Sequence, residues 1–166
     1  MSNVRPHKHH SQSPEAMQQI AQVGPWEFVF PEGWVSKNNE SSTSYFEDPE
    51  GSKGLYVKDI QLQEPYETSL QLSRYIQEVH ERSFTEATTN DWEIVDARNE
   101  SDGHLTRSAL DLLDTRANYR VLSLVVCDQI TAIQLTFHDY WCEDYKATRS
   151  VFSEVENSIA QVAGTA

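Results

Sequence analysis

The chain has 166 residues, 38% of them hydrophobic and 10% aromatic, which is the size of one domain and enough apolar material for one core. Its 26 acidic residues against 13 basic ones give a net charge of -13, a field that repels phosphate backbones and anionic lipid and so argues against nucleic-acid and membrane partners. No stretch approaches the roughly 20 apolar residues of a membrane span, and two cysteines, Cys127 and Cys142, are too few for a disulfide framework.

Residues 1–13 are polar, with His7, Lys8, His9 and His10 clustered, and read as a disordered tail ahead of a single domain over 14–166. No cysteine or carboxylate stands at ligand spacing from these histidines, so no metal is expected. The N-terminus has no apolar core of the secretory kind, which with the reduced thiols gives a cytoplasmic expectation. Ser13-Pro14 is a helix-start signal, and a short helix through Ala16, Met17, Ile20 and Val23 is predicted to stop at Gly24-Pro25.

Trp26, Phe28 and Phe30 alternate as in a half-buried strand, and Pro31-Glu32-Gly33 breaks it before Trp34. A second strand is predicted over 43–47 and a third over 54–62, separated by the turn cluster Asp48-Pro49-Glu50-Gly51-Ser52. A slip in the alternation between Val57 and Ile60 predicts a bulge. Thr68 and Gln71 have the spacing of a capping box. Leu72, Ile76 and Val79, with Tyr75 beside them, give the following helix an inward stripe, and Arg74, Gln77, Glu78 and Glu81 give it a solvent face.

Four strands follow: one marked by Trp92, Ile94 and Val95, then Leu105 to Leu113, Tyr119 to Val126 and Ile130 to His138. The turn Ser101-Asp102-Gly103 and the other short connections make them antiparallel neighbours. The third is apolar on both faces and therefore central. A closing helix is predicted over 143–162, with Ala147, Val151, Val155, Ile159 and Val162 turned inward and Phe152 alongside. Strands and helices do not alternate one by one. The fold class is α+β, an antiparallel sheet of six to seven strands packed against two long helices.

These elements resemble the PsbP-like fold family, which groups photosystem extrinsic proteins with small bacterial relatives. The resemblance runs over residues 26–162. It rests on Phe30-Pro31-Glu32-Gly33-Trp34, on Asp48-Pro49 leading to Leu55-Tyr56-Val57, on Ser69-Leu70 at a helix start, and on Phe152 and Ser158-Ile159 in the closing helix. It implies a scaffold for binding other proteins, which some bacterial relatives use as type VI secretion adaptor chaperones. A thylakoid member is expected to carry a targeting segment, and the N-terminus here does not read as one, so the expectation is a cytoplasmic bacterial relative.

The chemistry-bearing motifs are sparse. There is no phosphate-binding glycine loop and no nucleophile elbow, and no cofactor or catalytic residue is assigned. The densest run is His138-Asp139-Tyr140-Trp141-Cys142-Glu143-Asp144. It offers the parts of a small hydrolase or metal-dependent enzyme centred on His138 and Cys142, the alternative reading. Against it, adjacent strand residues diverge, and nearby carboxylates disfavour a thiolate. The main expectation is a non-enzymatic protein-binding or adaptor module with a protein partner. The sheet's uncovered face or an edge would take a protein segment, with Trp34, Trp92, Tyr140 and Trp141 as contact residues because large amphipathic rings at strand ends anchor interfaces.

Overall fold

The computed structural model describes residues 19–37, 43–86 and 89–162. The N-terminal tail, its histidines and the predicted start at Ser13-Pro14 lie outside them. Two sheets and two helices are seen among the described residues, in the order β1 (Gln19–Val23), β2 (Trp26–Phe30), β3 (Val35–Ser36), β4 (Ser44–Glu47), β5 (Lys53–Gln61), α1 (Ser69–Thr85), β6 (Trp92–Ser101), β7 (Thr106–Asp114), β8 (Tyr119–Cys127), β9 (Thr131–Asp139), α2 (Tyr145–Ser158) and β10 (Ala160–Gln161). The large sheet runs β3-β4-β5-β9-β8-β7-β6, and the small one β1-β2-β10. Every pairing is antiparallel, as the short connections of the meander require.

One face of the large sheet carries the main core. Leu55, Val57, Leu122, Leu124, Val126, Ile133, Leu135 and Phe137 meet Trp26 and Phe28 of β2 and Phe152 and Val155 of α2. Each large side chain buried here contributes roughly 1.5–3 kcal/mol. Central β8 is buried from Arg120 to Cys127, which explains its two-sided apolar run. The other face carries α1, whose Leu72 and Ile76 pack on Val125, Cys127 and Ala132.

Two ends of the chain depart from expectation. The stretch through Ile20 and Val23 is strand, not helix. Ala21 and Val23 pack against the core while Ile20 stays 66% exposed, a period of two rather than a turn of helix. Gly24, with φ of 58°, opens a two-residue hairpin between Val23 and Trp26; the same dipeptide that ends a helix also makes such a turn. At the other end α2 stops at Ser158 instead of running to 162. Ser158 Oγ donates to Val155 O at 2.7 Å and accepts from Val29 N–H at 2.8 Å. Ile159 turns extended, and β10 pairs with the free edge of β2.

The bulge expected near Val57 is absent, because β5 and β9 pair without a break from Lys53 to Gln61. What reads as a slip is a change of covered face. Leu55 and Val57 point to the main core, whereas Ile60 and Leu62 join the cluster under α1. The register shift lies in β6 instead, between Ile94 and Asp96. Among the described residues no helix is long and apolar enough to cross a membrane.

Candidate binding groove

The roll of α1 about its own axis creates the most distinctive surface. Thr68 caps the helix, its side chain accepting from Gln71 N–H at 3.2 Å, but Gln71 returns its amide to Glu67 rather than closing the box. Beneath the helix, β7 offers hydroxyls. Ser69 meets Thr106 at 2.8 Å, Ser73 bonds Ser108, and Gln77 Nε2 donates to Ala109 O at 2.9 Å. These buried polar groups must be paired, so the helix turns Ser73 and Gln77 inward. Tyr75 and Val79, placed on the inward stripe by sequence, are left 54% and 44% exposed.

α1 lies over β6, β7 and β8 and reaches Ile60 of β5 and Leu62 just after it, leaving Tyr56 and Lys58 of β5 exposed on this face. Between helix and sheet runs an open groove of about 230 Å³. Tyr75, Ile76 and Val79 form the helix wall, and Lys58, Ile60 and Leu62 the strand wall. Leu72 is part of the floor. Lys58 is the charged side chain among the lining residues, and the groove also reaches His80, Ser83 and Gln134.

Past Lys58 the same face of the sheet becomes aromatic. Tyr45 and Tyr56, opposed across β4 and β5, stack at 4.4 Å. Tyr56 meets the edge of His138 at 5.1 Å, and His138 stacks on Tyr140 at 5.8 Å. His138 Nδ1 shares a hydrogen bond with Tyr119 OH. His80 Nε2 lies 3.4 Å from Thr136 Oγ1. Burial holds both imidazoles at about 4, and repulsion from His80 adds to the effect on His138, so both are neutral at pH 7. Burial pushes the Tyr45, Tyr56 and Tyr119 phenols upward, and hydrogen bonding to Tyr140 adds to this for Tyr45 and Tyr56. This end of the face is a hydroxyl-fringed aromatic floor, with the Lys37–Glu47 ion pair at its rim beside the Tyr45 hydroxyl.

The four aromatic contact candidates separate. Trp34 is 7% exposed and rests on Phe137 at 5.5 Å, which makes it part of the main core rather than of the open surface. Its turn, with Gly33 at φ of 80°, folds the ring inward across the strand ends. Trp92 is half-buried against Phe84 and Tyr119. Tyr140 ends the aromatic floor and is 36% exposed. Trp141 is 60% exposed, its Nε1 donating to Glu143 at 3.0 Å. Tyr75 and Val79 were missed as surface residues, because apolar spacing alone gives no measure of how a helix rolls.

His138 and Cys142 are not brought together. His138 belongs to the α1 face, while Cys142 Sγ donates to Thr148 Oγ1 of α2 at 3.8 Å on the other. Burial raises the Cys142 thiol and pushes Cys127 up to about 12, so both are held as thiols. Beside Cys142, Thr148 bonds Asp139. Nearby Asp111 takes a bidentate pair from Arg120 at 2.8 and 3.0 Å and a third bond from Tyr145 OH. These groups satisfy one another. Among the described residues no three His, Cys, Asp or Glu side chains are grouped to hold a metal ion.

No protein-family model matches the sequence, and no curated protein matches it either. Solved structures do. The solution structure of cyanobacterial PsbP (CyanoP) from Synechocystis sp. PCC 6803 superposes with a TM-score of 0.62 at 18% identity, over 92% of this chain and 98% of that one. A crystal structure from Bacteroides thetaiotaomicron VPI-5482 gives 0.56 at 12% identity, over 87% of this chain and 49% of its own. At these identities the likeness is one of architecture: the chain has the PsbP-like fold.

Proposed function

We propose that this chain is a non-enzymatic protein-binding module, adaptor-like, whose contact surface is the groove between α1 and β5. One observation carries the reading. Tyr75 and Val79, large apolar side chains on a helix with ample polar alternatives, stand exposed over a concave surface that continues into Ile60 and Leu62. Isolated exposed apolar residues need no explanation, but contiguous ones lining a concavity mark interaction sites.

The occupant that fits is an amphipathic helix of a protein partner. Its apolar side chains, spaced three and four apart, would fill the groove in the helix-in-groove manner. A carboxylate beside that stripe would meet Lys58, which has no ion pair among the described residues. Fold likeness to CyanoP brings no partner with it.

The test places a photo-crosslinking phenylalanine analogue at position 75 and, as control, at exposed Glu32 on a remote turn. Crosslinked partner is expected at 75 alone and is expected to disappear in Val79→Lys. Equal crosslinking at the two positions, or a crosslink at 75 that survives Val79→Lys, would overturn the reading.

A further inference from the structure

The large sheet ends on one side in β6, a strand of ten residues that among the described residues pairs with β7 alone. All its residues except Trp92 and Arg98 are exposed, Ile94 and Val95 among them at 43% and 47%. Long edge strands are templates for a further strand. The shift at Val95 leaves an unbroken register from Asp96 to Ser101 along which another strand would run.

Charge says what kind of strand. Glu93, Asp96 and Glu100 project from β6, and Asp91 and Asp102 flank it. Of the cations nearby, Arg98 is paired with Glu156 at 3.1 Å and Arg116 with Asp91 at 2.5 Å, while Arg107, opposite Glu100 on β7, turns its guanidinium to the Glu156 and Ile159 carbonyls at 3.1 and 3.5 Å. A second copy of this chain would set the same acids against one another, and like charges opposed across strands are destabilising. We propose that β6 accepts an added strand from an extended, lysine- or arginine-rich segment of a partner protein. Backbone hydrogen bonds supply affinity, and the acidic row selects the basic sequence. This surface is separate from the groove, and either can fail without the other.

The probe is a peptide of about nine residues alternating lysine and valine, one strand's length; a glutamate-for-lysine version serves as control. Titration is read by fluorescence anisotropy on the full chain, with amide hydrogen exchange mapping the contact. Expected are binding that weakens with salt, slowed exchange from Glu93 to Ser101, and a loss of affinity of more than about tenfold in the combined variant Glu93→Lys, Asp96→Lys, Glu100→Lys. Asp96→Lys alone is the fallback should the triple variant not fold, checked by circular dichroism. The proposal is overturned by absent binding, by equal binding of the glutamate peptide, or by protection mapping to the groove. Self-association of the chain abolished by the same charge reversal overturns it too.

Discussion

His80 and His138, one from α1 and one from β9, press on the same ring: their centroids lie 5.0 and 6.3 Å from that of Phe84. Both are held at about 4 by burial, below the ordinary 6.5, so as pH falls the unfolded chain takes up protons first. The stability that these neutral rings allow is complete above about pH 6.5, erodes from there to about 4, and falls no further from this source below that. Going from pH 7 to 5 is expected to cost about 2 kcal/mol per ring. Urea unfolding at the two pH values measures it, and His80→Gln should reduce the difference.

Trp34 and Trp141 predict opposite outcomes. Trp34→Ala empties a core position against Phe137 and should cost about 3–5 kcal/mol. Trp141→Ala removes an exposed ring and should stay within about 0.5 kcal/mol. Denaturant midpoints decide between them, and comparable losses would contradict the placement of Trp34.

The buried pair Arg120–Asp111, with side chains 11% and 8% exposed, gains a third member in Tyr145, whose ring lies 3.8 Å below the guanidinium. Asp111→Ala strands that cation and should destabilise by about 3–5 kcal/mol. The double variant Arg120→Met, Asp111→Leu should recover most of the loss. A double-mutant cycle by thermal unfolding tests both statements.

Gly54 leaves room for the Tyr45 ring: a Cβ there would sit 2.6 Å from Tyr45 Cε2 and 2.7 Å from its hydroxyl. Gly54→Ala should push the ring off Tyr56 and away from Glu47, whose Oε2 it now meets at 3.0 Å. A loss of about 1–3 kcal/mol and a changed near-ultraviolet circular dichroism spectrum are expected.

Local chemistry was legible in the sequence where one short-range rule governed. Thr68 three residues before Gln71 located the start of α1, and the two-sided apolar run of β8 located the centre of the sheet. Long-range competition was not legible. Ile20 and Val23 have helical spacing, yet the open edge of β2 takes them as strand. Tyr75 and Val79 have core spacing, yet hydroxyls on β7 roll the helix away from them. The groove follows from that roll, so the sequence pattern pointed to an uncovered face without naming its walls.

The pairing of Ala160 and Gln161 with Trp26 and Glu27 bears on how the molecule is born. During vectorial synthesis β2 emerges early and must wait, one backbone edge bare, until almost every other described residue has left the ribosome. A chain halted before residue 160 carries that vacant edge beside an otherwise complete meander.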